Sequence, residues 1–254
     1  MDLTTMGQSF GRGVFHYAKG RRGYSNSLLH FLHAQVPKTA KILDLGCGTG
    51  VATKQLWDLG YQSLVGCDPD LRMLAEAQEI LPQIDFVSAI AEELPFENGS
   101  FDAVMVFGAF HWFCNSTAVS EIRRVLKKGG LFFCANKEDK TSFDKDYDDW
   151  LRQNVCLDVV DPKRDYKPAQ KLVEGGFTIL GEPKWDHEEV FTKEEALSFC
   201  QSLGSWNLLS MDDQQRLLAR LEEFLKPRME NGLFVRPIEI RTVLAESRNS
   251  SDGY

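Results

Sequence analysis

Short apolar runs alternate with segments of helical period along most of this chain. Leu28, Leu29, Leu32 and Val36 recur at helical spacing, which predicts a helix over Tyr24–Gln35 stopped by Pro37. Lys41–Leu45 reads as a buried strand, Val51–Leu59 as a helix and Ser63–Cys67 as a second strand. Asp70 is placed to cap a helix carrying Leu71, Leu74 and Ala75 on one face. Ile84–Ser88 and Phe101–Phe107 are the third and fourth strands, the latter too apolar to be half exposed. Ala118, Ile122 and Val125 mark a helix ended by Gly129-Gly130, and Leu131–Ala135 is a fifth strand. Strand–helix alternation of this kind implies right-handed crossovers and a parallel sheet covered on both faces.

Beyond Asn136 the pattern changes. Helical periods cover Asp144–Val155, Ala169–Glu174, Thr192–Leu203 and Asp212–Leu225. A sixth strand opens at Phe177–Leu180 and runs on toward Val190. Phe234–Ala245 is a final strand, in which Pro237 calls for an edge or a bulge.

Charge narrows the functions available. The 254 residues hold 29 Lys+Arg against 37 Asp+Glu, a net charge of −8. A chain this acidic has no general attraction for nucleic acid or for an anionic membrane. No apolar run approaches a membrane span, and Met1–Met6 does not open a secretory leader. The six cysteines lack a CxxC pair and sit in apolar context, so the expectation is a reduced, cytoplasmic protein.

The richest chemistry lies in Asp44-Leu45-Gly46-Cys47-Gly48-Thr49-Gly50. A buried strand runs into three alternate glycines and then a helix. Such glycines permit a tight turn and a close backbone approach to a ligand. The spacing is GxGxG rather than a dinucleotide GxGxxG, and Gly50-Val51-Ala52 excludes a Walker loop. Asp68 ends the second strand beside this loop, where an acid can accept both hydroxyls of a ribose.

These residues resemble class I S-adenosylmethionine-dependent methyltransferases. The resemblance continues through Ala91–Phe96, Ser100-Phe101-Asp102 and Val125–Gly130, and covers Phe10–Asn136. It implies an α/β fold: a Rossmann-like seven-stranded, mostly parallel sheet with helices on both faces, the last strand antiparallel, and a helical lid insertion. It implies one methyltransferase domain over 1–246, with a cover at 1–40, a cofactor-binding core at 41–136, a closing strand and helical substrate lid at 137–233 and a final strand at 234–246. A disordered tail would occupy 247–254. It implies S-adenosyl-L-methionine as the cofactor. Gly46, Gly48 and Gly50 would approach its methionyl and ribose parts, with Cys47 and Phe107 beside them. Asp44 would orient the loop and meet the amino group through water, and Asp68 would bind the ribose. Pro69 and Met73 would flank the adenine, and Ala91 would meet its edge between Ile90 and Glu92. Many members carry Asp where Ile90 stands, so apolar packing must replace that bond here.

Phe10, Tyr17, Arg21 and Tyr24 resemble a stretch of small-molecule methyltransferases similar to trans-aconitate methyltransferase, although Arg22 stands where that group has Pro. The resemblance implies that Tyr17 and Arg21 face the cofactor, Arg21 pairing with its carboxylate or with a substrate's. After the fourth strand comes Gly108-Ala109-Phe110-His111-Trp112-Phe113, without the Asn/Asp-Pro-Pro-aromatic element of enzymes that methylate bases or glutamine. His111-Trp112 resembles a pair of the same small-molecule group. Trp112 would wall the substrate pocket, and His111 would bind substrate or act as general base. Trp206 is a further substrate candidate; Arg236 and Arg241 are candidates for an anionic one. No metal site is expected.

The expectation is therefore a methyltransferase acting on a small molecule, with a carboxylate among the candidates. A carbon or oxygen methyltransferase on a quinone- or polyketide-like ring is the alternative. A catalytically silent cofactor-binding partner protein is the alternative of another class.

Overall fold

The computed structural model describes residues 13–155 and 165–248. Phe10, Cys156 and the tail from 249 onward lie outside the described residues.

Among the described residues, eight strands form one sheet: β1 (Lys41–Leu45), β2 (Ser63–Cys67), β3 (Asp85–Val87), β4 (Phe101–Phe107), β5 (Leu126–Asp139), β6 (Phe177–Gly181), β7 (Lys184–Thr192) and β8 (Leu233–Ser247). Their order is β3-β2-β1-β4-β5-β8-β6, with β7 paired to β8. The pairs β1–β2, β1–β4, β2–β3 and β4–β5 are parallel, and β6–β8 is antiparallel. The helices are α1 (Val14–Gly20), α2 (Asn26–Gln35), α3 (Val51–Asp58), α4 (Leu71–Ile80), α5 (Ser116–Val125), α6 (Phe143–Asn154), α7 (Pro168–Glu174), α8 (Lys193–Gln201), α9 (Gly204–Asn207) and α10 (Met211–Leu225).

The chain divides into two compact units. A sheet unit takes 23–137, 165–185 and 240–248; a helical unit takes 13–22, 138–155 and 186–239. The sheet unit's core joins Leu43, Val104, Val106 and Phe132 of the central strands to Ala118, Val119, Ile122 and Val125, the apolar stripe of α5. The helical unit's core is aromatic: Phe143, Tyr147, Phe191, Phe199, Trp206, Phe224 and Phe234 cluster together.

Side-chain caps fix where helices begin. Ser25 accepts from Leu28 N–H, Asp70 from Arg72 N–H and Asn115 from Ala118 N–H. Thr192 and Glu195 form a reciprocal capping box at α8. Each cap is worth about 1 kcal/mol.

Several details differ from the sequence pattern. In α4, Leu71 and Ala75 are exposed and the buried face is Met73, Leu74 and Ala77, because Ala77 packs beneath the glycine loop. The strand opening at Phe177 is two strands, interrupted at Glu182-Pro183, where proline cannot donate to a ladder. β8 is not an edge: it lies between β5 and β6, and the carbonyl of Pro237 still accepts from Lys140 N–H.

Asp102 explains the Ser100-Phe101-Asp102 motif mechanically. Its carboxylate accepts from Lys41 N–H at 2.8 Å, where β1 starts, and from Lys127 Nζ at 2.7 Å, where β5 starts. One side chain thus ties the entrances of three adjacent strands. Partial burial works against its charge, but Lys127 and the Lys41 amide prevail and hold the carboxyl below its ordinary value.

Candidate active site

In an open α/β sheet, ligands bind beyond the carboxyl ends of the strands, where the order reverses. Here that place is the end of β1, between β2 and β4. The loop after β1 is pinned at once: Gly46 N–H and Cys47 N–H both donate to Cys67 O, at 2.7 and 3.1 Å. Gly46 has φ +75°, and a Cβ there would stand 2.6 Å from the Ala109 Cβ. Gly50, at φ +78°, is the left-handed N-cap of α3. The sequence therefore needs glycine at both ends of the loop, once for close approach and once to turn the chain into a helix.

Two carboxylates flank this loop. Asp68 Oδ2 accepts from Gly48 N–H and Oδ1 from Asp70 N–H, each at 3.0 Å. Burial outweighs these bonds and pushes its carboxyl up to about 6. Asp44 is fully buried; its Oδ2 accepts from Thr53 Oγ1 at 2.6 Å, while Oδ1 has no partner. Desolvation, with a smaller contribution from Asp68, raises it to about 7. A buried acceptor without a donor is a site feature, since folded chains rarely leave one unpaired. The thiols beside it, Cys47 and Cys67, are free and buried, and burial pushes both up, Cys67 to about 12.

The stretch after β3 is also held from outside. Arg124 pairs with Glu121 and donates to the carbonyls of Leu94 and Phe96, and Leu94 N–H donates to Glu121. Asn115 Nδ2 donates to Glu92 at 2.7 Å. Ala91 is buried against this frame, Ile90 is 40% exposed, and Met73 is buried below. Pro69 is exposed at the turn after Asp68.

Beyond β4 the chain turns at Gly108 into a single 3-10 turn, Phe110–Trp112. Phe107 lies 5.0 Å from the Tyr24 ring, and Tyr24 Oη donates to Ala135 O at 3.3 Å. His111 Nδ1 stands 3.3 Å from Asn136 Oδ1, and Asn136 Nδ2 donates to Tyr166 Oη at 2.6 Å. The His111 ring is edge-on to Tyr166 at 6.1 Å and tilted on Trp112 at 4.9 Å. Asn136 and Tyr166 escaped sequence reasoning. They are 30 residues apart, and no motif joins them; the only signal was that Asn136 interrupts the apolar run of β5.

In the helical unit, Arg21 Nη2 donates to Ser202 O at 3.1 Å, and its guanidinium lies over the rings of Tyr17 and Phe199. Trp206 is buried within the aromatic core. Arg236 is enclosed by carboxylates: Asp144 at 2.9 Å, Glu189 at 3.1 Å and Asp139 at 3.7 Å. Among the described residues, no helix is long and apolar enough to cross a membrane.

Comparison with known proteins agrees with this geometry. Residues 43–134 match the family model for a methyltransferase domain. An uncharacterized methyltransferase of Schizosaccharomyces pombe is 27% identical over 237 residues, covering 89% of this chain and 91% of the relative. One of Mycobacterium bovis is 39% identical over 126 residues, 49% of this chain, and the chain spans only 50% of it. A demethylmenaquinone methyltransferase of Beutenbergia cavernae is 40% identical over 96 residues, 37% of this chain and 40% of the relative. In fold, the chain is similar to a solved putative type II methyltransferase of Anaeromyxobacter dehalogenans, with a TM-score of 0.64, 19% identity, and coverage of 90% of this chain and 97% of that one. The glycine cradle, the paired carboxylates and the orphaned Asp44 oxygen suit a ribose- and ammonium-bearing cofactor. Over residues 43–134 the chain carries a methyltransferase domain, and the cofactor such a domain implies is S-adenosylmethionine.

Proposed function

We propose that the methyl acceptor is a small molecule carrying a ring hydroxyl or enol, methylated on oxygen or carbon. The observation that carries this reading is His111, hydrogen-bonded to Asn136 and set among Trp112, Tyr166 and Phe110, on the sheet edge that also bears Asp68. Aromatic side chains there suit a planar acceptor, and a histidine suits an acceptor that must lose a proton before it attacks. A carboxylate acceptor would need no base. It would instead want a cation, and one candidate, buried Arg236, is already enclosed by three carboxylates. The quinone-modifying relative is consistent with a ring, although its similarity covers only the cofactor half of this chain.

When bound, S-adenosylmethionine supplies a methyl group on a sulfonium leaving group. The residues of this chain divide the remaining work. Asp68, ionised above about pH 6, would accept the two ribose hydroxyls. Gly46, Gly48 and Gly50 would let the backbone approach the methionyl end, and Asp44 Oδ1 would receive its ammonium group through water. Met73, Pro69, Ile90 and Ala91 would hold the adenine. His111 takes the acceptor's proton, and Trp112 with Tyr166 keeps water from the nucleophile.

The test has two parts. Asp68→Ala should abolish S-adenosylhomocysteine binding by calorimetry. A screen of phenols, quinols and carboxylic acids should show turnover for a ring hydroxyl, reduced more than tenfold by His111→Ala. Turnover of carboxylic acids that survives His111→Ala would overturn the acceptor assignment.

A further inference from the structure

His111 has two ring nitrogens, and only the one carrying a lone pair can take a proton. Which one that is depends on the hydrogen bond the other makes. The structure supplies that bond. Asn136 sits at the end of β5, almost fully buried. Its amide spans two groups: Nδ2 donates to Tyr166 Oη at 2.6 Å, so Oδ1 is turned toward His111 Nδ1 at 3.3 Å. An amide oxygen can only accept, so the ring nitrogen facing it must donate.

We propose that Asn136, anchored by Tyr166, acts as a positioning residue that fixes the neutral tautomer of His111 with its proton on Nδ1 and its lone pair on Nε2. The catalytic consequence rests on the reading of His111 as the base; the tautomer does not. Free imidazole in water favours the opposite arrangement, so the protein is doing the selecting. Among the described residues, Tyr166 shares the Asn136 amide with His111, and Cys134 Sγ lies 3.9 Å from Tyr166 Oη. Burial pushes Cys134 up to about 12 and Tyr166 well above its ordinary value, so both stay neutral around pH 7. The neighbouring cation, Lys137, sends its ammonium to Gly23 O and over the Tyr24 ring. The His111 and Tyr166 rings meet edge-on, which limits rotation of the imidazole about its axis.

The full chain labelled with 15N-histidine tests this without any methyl acceptor. His111→Gln identifies which of the five histidine signals is lost. In the unsubstituted protein above the imidazole pKa, the His111 Nδ1 shift should be of the protonated type and Nε2 of the lone-pair type. Asn136→Leu should abolish that preference. Should it fail to fold, Asn136→Asp and Tyr166→Phe remain. Asn136→Asp places a carboxylate against the ring and should raise the His111 pKa by more than one unit, and Tyr166→Phe should weaken the preference while leaving the fold intact. A proton found on Nε2 overturns the proposal, as does an Asn136→Asp variant whose His111 titrates unchanged. The base assignment fails separately, through turnover retained in His111→Ala while the unsubstituted protein still carries the His111 proton on Nδ1.

Discussion

Replacing Asp44 by asparagine should make the ligand-free protein more stable at pH 8 and leave it no more stable at pH 4. An ordinary carboxyl titrates near 4, whereas Asp44, fully buried, is raised to about 7. The native state therefore keeps a proton on Asp44 that the unfolded chain has released. Across the window from about 4 to 7 the native state binds more protons, so wild-type stability falls as pH rises. Three units at about 1.4 kcal/mol each give about 4 kcal/mol. The substituted amide would keep the bond from Thr53, but would leave a donor where Oδ1 has no partner, costing about 1–2 kcal/mol. The net expectation is a gain of about 2–3 kcal/mol at pH 8, several degrees in Tm for a chain of this size. Thermal unfolding of both proteins from pH 4 to pH 8, followed by circular dichroism, reads it directly. A difference that does not change with pH, or a variant less stable at pH 8, refutes the reasoning. The same substitution should weaken S-adenosylhomocysteine binding, because it removes the acceptor that the proposed function assigns to the ligand's ammonium group.

Gly46→Ala forces a Cβ to within 2.6 Å of Ala109 at a positive φ. It should cost about 1–3 kcal/mol and weaken S-adenosylhomocysteine at least tenfold by calorimetry, and unchanged affinity would count against the loop as a close-approach surface. Arg236→Met leaves Asp139 and Glu189 buried without their cation. It should destabilise the protein by about 3–5 kcal/mol in urea unfolding at neutral pH, a loss that a mere surface ion pair would not produce.

The sheet was legible wherever burial on both faces left a strand continuously apolar. Lys41–Leu45, Ser63–Cys67 and Phe101–Phe107 have the boundaries that their apolar runs set. Gly129-Gly130 misled because glycine pairs read as breaks. They lie inside β5, in the stretch where the register against β4 shifts between Phe101 and Ala103. The cofactor side was readable because its residues are contiguous or sit at strand ends. The opposite side was not. His111, Asn136 and Tyr166 come from three separate segments, and only the closing of β4, β5 and the approach to α7 brings them together. Arg236 looked from sequence like a candidate for anions, and its three acidic partners lie far from it along the chain.

The thiols give the molecule an internal clock. Cys47 lies within the glycine loop and Cys67 at the end of β2 that pins it, Cys134 lies in β5, and Cys200 lies in the helical unit's core; all four are free, buried and raised above an ordinary thiol. Alkylating reagents consume thiolate, so none of these sulfurs should react until its surroundings open. Labelling pulses of increasing length, read cysteine by cysteine in a mass spectrometer, would then time the opening of the glycine loop against that of the helical core. Adding S-adenosylhomocysteine should slow the first pair selectively and leave Cys200 on its own schedule.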